Sequence, residues 1–251
     1  MVLLSLEKTK AVVIKAYDYK ENDKLVWLYT EEFGKVTAIA KGAKKSKSRL
    51  FALTLPLCYA DYVLFKGKNL FNLQEGKMEN SFQGLLSNLD KLTYSSYICE
   101  LIDISVSDGE TNKELYRYFI TCLYLLSTDA LDYELLIRSF ELKLLKSTGY
   151  GLNLDKCVSC GKKISVANYI SLSHFGGICE DCPREYGIYV SKPAYNALRF
   201  LNNTDMDKVY RLNINSEIKK DVSKVNTFMI SSNYSRKPKS LEMLNYIKEW
   251  L

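Results

Sequence analysis

The chain has 251 residues, of which 47% are hydrophobic and 25% are charged, and its formal net charge is +6 with the single His neutral. Aromatic residues make up 12% of the chain, which argues against a wholly disordered protein. No apolar run approaches the roughly 18 to 20 residues that span a bilayer, so we do not expect a membrane protein. Residues 1–10 become charged too early for a secretory signal, and we therefore expect a cytoplasmic protein.

The charge is distributed unevenly along the chain. Residues 1–80 carry a net charge of +5, residues 81–152 carry −4, residues 153–191 are neutral and residues 192–251 carry +5. Two basic segments therefore flank an acidic one. This division favours a protein that faces a polyanion with only part of its surface.

The first 80 residues have the pattern of short β-strands separated by turns. Gly34 ends a Glu-Glu-Phe-Gly segment and can supply the positive φ of a tight turn between two strands. Five short strands with no long helix between them predict a small antiparallel sheet or barrel of OB-fold size, although strand number alone also fits an SH3-like barrel. We predict strands over residues 10–19, 24–30, 35–40, 57–65 and 70–73.

Beyond residue 81 the apolar spacing changes to that of α-helices. Thr111 and Glu114 have the spacing of a capping box, which places a helix start at Thr111. Gly149 is placed to end a later helix, and Pro193 suits the first turn of another. We predict helices near residues 94–105, 111–126, 133–148, 218–229 and 241–251.

Four of the seven cysteines form two pairs, each with two residues between its members. Such pairs let both sulfurs reach one metal ion, and four thiolates close the tetrahedral sphere of a structural Zn(II). His174 in place of one cysteine is a less favoured alternative, and so is a disulfide, which needs an oxidising compartment. Three nearby glycines give the turns backbone freedom: Gly161, Gly176 and Gly177. We predict one structural Zn(II) per chain, bound by Cys157, Cys160, Cys179 and Cys182.

A basic loop is predicted directly after the third strand, over residues 41–49. Gly42 and two serines favour a mobile segment whose donors can bind phosphate oxygens, and a solvated loop without a ligand is the alternative. Small barrels bind single strands along a basic groove lined by aromatic side chains. Trp27 and Tyr29 are candidate stacking residues, although a core position is favoured for Trp27. The loop holds five cations and no acid: Lys41, Lys44, Lys45, Lys47 and Arg49.

No catalytic motif is evident. The GxxxxGK phosphate-binding pattern does not occur, because Phe71 stands where its first Gly would precede Gly76-Lys77. The acidic residues of the first 80 positions are scattered rather than clustered as a Mg(II) nuclease would need. The sequence therefore favours a binding protein over an enzyme.

Taken together, and in their order along the chain, the motifs of this sequence resemble those of the bacterial recombination mediator family RecO. The similarity extends over most of the chain, and its order is more specific than the cysteine pairs alone. It is carried by residues 11–18, 21–24, 30–35, 40–49, 140–150, 176–179 and 236–241.

The resemblance implies an α+β multidomain protein with an N-terminal OB-fold β-barrel, an α-helical domain and an inserted zinc ribbon with four cysteine ligands. The corresponding boundaries are a barrel over 1–80, a helical domain over 81–152 and 192–251, and the ribbon over 153–191. It also implies a non-catalytic protein of the bacterial cytoplasm and nucleoid.

The family's partners and binding residues carry over as expectations. Such proteins bind single- and double-stranded DNA, anneal complementary strands and, with RecR, help load RecA onto DNA covered by single-strand-binding protein. The DNA-binding role falls best on the basic loop, with Lys35 as a further candidate. Relatives also hold the acidic tail of single-strand-binding protein in a groove of the helical domain, where Arg138 or Lys143 is the candidate cation for its carboxylate.

Two other function classes stay open at this point. A zinc-ribbon adaptor in transcription or translation would contact mainly protein, and would bind DNA weakly without annealing it. An enzyme with an unrecognised carboxylate site would cleave nucleic acid in a metal-dependent manner.

Overall fold

The computed structural model describes residues 6–68, 70–128 and 131–240, which fall into two compact units. The first unit contains the described residues up to Tyr116 together with 238–240, and the second contains those from Arg117 to Lys237. Within these ranges no helix is both long and apolar enough to cross a membrane. The finer division at residues 80, 152 and 191 stays a prediction.

A closed five-stranded barrel forms most of the first unit. Its strands lie in the order β1-β2-β3-β5-β4, and all neighbours are antiparallel except β3 and β5. This arrangement confirms the predicted OB-like barrel. The strands are β1 (Leu6–Tyr19), β2 (Asp23–Thr30), β3 (Gly34–Ala40), β4 (Tyr59–Lys66) and β5 (Phe71–Asn80).

The last strand is longer than the predicted 70–73. Its second half is polar and mostly exposed, so it lacks the apolar alternation by which strands are recognised. Pairing with β4 extends β5 to Asn80 in spite of its polar composition. The predicted turn at Gly34 is confirmed by a φ of +62°.

The barrel core consists of small and branched side chains from alternate strand positions. Tyr62 is fully buried within it and donates hydrogen bonds to the backbone oxygens of Leu53 and Cys58. The short helix α1 (Leu50–Leu53) lies between β3 and β4. A 3-10 helix (Gln83–Ser87) and α2 (Leu89–Ser105) follow the barrel, with the Asn88 side chain accepting from the Lys91 N–H at the start of α2.

The helices α3 (Lys113–Ser127), α4 (Tyr133–Ser147), α5 (Lys192–Asn203) and α6 (Ser216–Asn233) follow in chain order. The capping-box prediction at Thr111 is wrong by one residue. Asn112 is the cap, because its Oδ1 accepts from the Leu115 N–H at 2.9 Å. The end of α4 is as predicted, since Gly149 has a φ of +89°.

A three-stranded sheet in the second unit lies in the same segment as the cysteine pairs, residues 153–191. Its order is β7-β6-β8, formed by β6 (Tyr169–Ser171), β7 (Gly176–Gly177) and β8 (Gly187–Tyr189). The predicted helix over 241–251 lies outside the described residues.

Candidate nucleic-acid interface and metal centre

The basic loop, residues 41–49, leaves the end of β3 as a series of hydrogen-bonded turns. The Lys45 N–H donates to the Gly42 oxygen at 3.2 Å and the Ser48 N–H donates to the Lys45 oxygen at 2.9 Å. Gly42 has a φ of +66°, which other residues adopt with strain. Short-range bonds thus order a segment for which the sequence predicts mobility. Its exposed cations are Lys41, Lys45, Lys47 and Arg49.

The basic loop is bonded to the turn between β1 and β2. The Gly42 N–H donates to the Asp23 carboxylate at 2.8 Å, and the Lys44 N–H donates to the Asn22 oxygen at 3.0 Å. The Lys44 ammonium pairs with Asp18 at 2.9 Å, so its charge is partly compensated. These contacts fix the loop to the β1–β2 turn, at one end of the outer surface of the two strands.

A group of aromatic and basic side chains, called here the Trp27 cluster, lies on that outer surface. The Trp27 and Tyr17 rings meet edge-to-face with centroids 5.5 Å apart, and the Lys15 Nζ lies 5.0 Å from each centroid. Trp27 is half-buried and Tyr17 is 55% exposed. The core position favoured for Trp27 is therefore wrong. Tyr29 is the buried one of the two candidates, packed against Tyr116.

Sequence reasoning missed Lys15 and Tyr17 as members of this surface. They occupy alternate positions of β1, and Lys15 pairs in register with Trp27 after a bulge that follows Val13. The alternation of side chains along β1 could have placed both residues on the outer face of the strand. Because apolar residues lie on both faces of β2, the sequence did not show which face is the outer one. Phe51, 44% exposed with the Lys24 Nζ 5.3 Å from its ring, was also missed.

Lys35 is placed differently from the DNA contact that the resemblance implies. Its side chain is buried, and its Nζ donates to the Asp103 backbone oxygen at 2.7 Å. Carboxylate oxygens of Asp103 and Asp108 lie 3.6 and 3.5 Å from the same atom. These internal partners neutralise the charge of Lys35, so we do not count it among the exposed cations.

Neither Arg138 nor Lys143 has the surface position expected of a carboxylate-binding cation. Arg138 is 1% exposed, and its Nη1 lies 2.8 Å from both carboxylate oxygens of the fully buried Glu141. Lys143 is 5% exposed and donates to the Asn202 backbone oxygen at 2.8 Å. Both sit on α4, which is buried on nearly every side. The expectation of an accessible cation at these positions is therefore corrected.

The four predicted metal ligands come together at one end of the ribbon. The sulfurs of Cys157, Cys160, Cys179 and Cys182 all lie within 4.8 Å of one another. His174 is not among these residues, and its ring contacts the hydroxyls of Ser171 and Ser173. The cluster is compatible with a single bound metal ion.

The electrostatics of the cysteine cluster favour a cation at its centre. Burial opposes ionisation of Cys157, but backbone N–H groups led by that of Cys179 outweigh it and lower the pKa of the Cys157 thiol to about 6. A hydrogen bond with the Cys179 side chain raises the pKa of Cys182 to about 12. Four sulfurs at this spacing cannot all ionise unless a cation compensates them.

One pair of sulfurs has the spacing of a zinc site. Tetrahedral Zn–S bonds of about 2.3 Å require sulfurs about 3.8 Å apart. The sulfurs of Cys160 and Cys179 lie 3.8 Å apart. The protein would thus supply four thiolates to a closed structural site, with no position left for a substrate.

The glycines near the cysteines serve two different purposes. Gly161 has a φ of +75° and turns the chain after the first pair, as predicted. Gly176 and Gly177 instead form strand β7, where there is no room for a side chain. A Cβ on Gly177 would lie 2.1 Å from the Tyr195 hydroxyl. Close packing, rather than turn freedom, therefore requires glycine there.

Comparison with known proteins gives consistent matches over both parts of the chain. A family model described as recombination protein O, N terminal, matches residues 4–82, and one described as recombination protein O, C terminal, matches residues 86–242. The chain is 65% identical to the DNA repair protein RecO of Clostridium perfringens (strain 13 / Type A), over 98% of this chain and 100% of the relative.

More distant relatives carry the same name. The identity is 50% with the DNA repair protein RecO of Clostridium novyi (strain NT), over 98% of this chain and 96% of the relative. The identity is 32% with the DNA repair protein RecO of Alkaliphilus metalliredigens (strain QYMF), over 88% of this chain and 90% of the relative.

Proposed function

Because the chain belongs to the RecO family of DNA repair proteins, we propose that it is a non-catalytic mediator that binds single- and double-stranded DNA and anneals complementary strands. The observation that carries this proposal is the basic loop, whose backbone is bonded to the β1–β2 turn at one end of the two strands that carry the Trp27 cluster. Cations that contact phosphates and aromatic rings that stack on bases are the two elements of sequence-independent strand binding.

The mechanism follows from charge neutralisation. Lys41, Lys45, Lys47 and Arg49 contact backbone phosphates and release their counterions, so affinity falls as salt rises. Tyr17 and Trp27 offer ring faces to unstacked bases. Two strands bound in this way repel one another less, and they pair without nucleotide hydrolysis.

The wider role is proposed from the family alone. It includes cooperation with RecR in loading RecA onto DNA covered by single-strand-binding protein, in the bacterial cytoplasm. We assign no residue to the tail of single-strand-binding protein, because Arg138 and Lys143 are buried.

A matched pair of triple variants tests the DNA-binding proposal. We expect replacement of Lys41, Lys45 and Lys47 by Ala to reduce the slope of log affinity against log salt by about 2, since each single-strand phosphate contact contributes about 0.7. With equal affinities at 1 M salt, this amounts to about a 100-fold loss at 0.1 M. Titration of a labelled oligothymidylate measures both quantities.

The control removes the same charge from exposed positions in the second unit: Lys192, Lys220 and Lys224. We expect it to change the salt slope by much less than the loop variant. Equal slopes for the two variants, or an unchanged slope for the loop variant, would count against the basic loop as the binding site.

We further propose that the cysteine cluster binds one structural Zn(II) per chain. The expected metal content of the purified protein is one zinc per chain, and Cys179→Ser should reduce it to near zero. Because metal binding and ribbon folding are coupled, chelation should lower the melting temperature of the wild type but not that of the variant. Purified protein that is folded and metal-free would contradict the zinc assignment.

A further inference from the structure

A cleft of about 400 Å³ opens beside the barrel where β3 and β5 separate. Among the described residues, the two strands pair through Ala38 with Phe71 and Ile39 with Asn72. The earlier part of β3 is bordered instead by the loop before α3, where the Gly109 N–H donates to the Lys35 oxygen at 2.9 Å. The lining of the cleft includes Phe33, Lys35, Thr37, Lys66, Leu70 and Phe71.

The lining suits a flat, uncharged ring. The aromatic rings of Phe33 and Phe71 form one side, with centroids 6.1 Å apart. Charged groups of the lining are compensated, since Lys35 lies 3.5 Å from the Asp108 carboxylate. Similarly, Glu32 pairs with Lys113 at 2.8 Å. The polar groups therefore offer hydrogen bonds without a strong net field.

Exposed Lys66 adds a cation beside this neutral lining. A ligand with a neutral ring attached to a phosphate matches both features, the ring against the phenylalanines and the phosphate toward Lys66. A nucleotide within a strand is such a ligand. The volume also lies in the range of sites that hold small organic groups.

The cleft is continuous with the surface that carries the proposed function. Thr37, in its wall, pairs in register with Trp27 of the Trp27 cluster. Four residues further along β3, about 13 Å at strand spacing, the basic loop begins at Lys41. An OB-fold covers about 4 or more nucleotides of a single strand. A DNA strand bound along the loop is therefore long enough to reach the cleft.

We infer that this cleft receives one unstacked base of a bound DNA single strand, while the phosphates of that strand follow the basic loop and Lys66. The inference rests on the proposed function, because it needs a single strand on the barrel surface. The cleft would be a defined pocket for one base. The rest of the proposed surface contacts DNA through its cations and through stacking on exposed aromatic rings.

Filling the cleft tests the inference. Thr37→Trp fills it from β3 and Leu70→Trp fills it from the opposite wall, so that one variant remains if the other fails to fold. Gln74→Trp is the matched control, because Gln74 is an exposed β5 residue outside the lining. The probe is a short oligothymidylate that carries one 2-aminopurine, moved position by position, and the readouts are its affinity and its quenching by acrylamide.

In the wild type and in Gln74→Trp, we expect one position at which bound 2-aminopurine is protected from acrylamide more strongly than at any other position. Both cleft variants should lose that protection and bind about 5- to 150-fold more weakly, the range for loss of one stacked base. Unchanged protection and affinity in either folded cleft variant would overturn the inference.

The inference and the proposed function fail separately. If the triple lysine variant of the loop loses binding while filling the cleft has no effect, only the base pocket is refuted. If the wild type binds no single strand, both are refuted.

Discussion

Replacing Glu141 with Gln should remove the carboxylate charge that lies against the buried Arg138 guanidinium. The structure sets the size of the effect, because the two side chains are 1% and 0% exposed and share two contacts of 2.8 Å. Asn226 also donates to Glu141, at 2.9 Å. Breaking a buried pair by removing one partner costs about 3–5 kcal/mol. That is a large fraction of the roughly 5–15 kcal/mol by which a domain is typically stable.

A double-mutant cycle separates the pair from its surroundings. We expect Glu141→Gln and Arg138→Met each to destabilise strongly. The double variant should lose much less than the sum, because both charges of the pair are removed together. Urea unfolding followed by far-ultraviolet circular dichroism gives the free energies. The half-exposed pair Asp155–Arg199 is the control, and Asp155→Asn should cost less than about 1 kcal/mol.

This cycle also tests the structural role of Arg138 against a role at the surface. If Glu141→Gln costs less than about 1 kcal/mol, or if the two single effects add, Arg138 is not held by a buried pair and the reasoning is refuted.

The remaining stability predictions use residues with close internal controls. Gly177→Ala should destabilise the ribbon by about 3 kcal/mol, since its Cβ would meet the Tyr195 hydroxyl. Gly84→Ala should be nearly neutral in the same thermal unfolding, because no atom of the described residues lies within 4 Å of its Cβ. Equal melting temperatures for the two variants would contradict this. Asn112→Ala should cost about 1 kcal/mol through loss of the α3 cap, and Thr111→Ala less than about 0.5 kcal/mol. If Thr111→Ala lowered the free energy of unfolding in urea more than Asn112→Ala does, Thr111 rather than Asn112 would be the cap.

The features that the sequence predicted correctly are those set by local spacing. The two Cys pairs, the turn at Gly34 and the helix end at Gly149 each depend on a few neighbouring residues. The strand pattern sufficed for a barrel because its core strands alternate in the usual way. β5 was too polar beyond Leu73 to be read to its end, and β1 begins at Leu6 rather than at the predicted residue 10.

The errors arise where distant parts of the chain meet. Lys35 is of a residue type that usually lies at the protein surface. Its hydrogen-bond partner Asp103 is 68 residues further along the chain, so local sequence does not reveal its burial. Arg138 and Lys143 lie on a helix that is covered on nearly all sides, which its amphipathic pattern did not reveal. The closeness of Gly177 to Tyr195 is a contact between segments, so spacing along the chain cannot show it.

Strand annealing by the loop variant tests the central claim most directly. Two complementary labelled oligonucleotides are mixed with protein in the absence of ATP, with and without a chelator, and duplex formation is followed over time. We predict that the wild type and the second-unit lysine control accelerate pairing, and that the variant lacking Lys41, Lys45 and Lys47 loses most of this acceleration at about 0.1 M salt. Pairing as fast with the loop variant as with the wild type, or metal-dependent cleavage in place of pairing, would contradict the account.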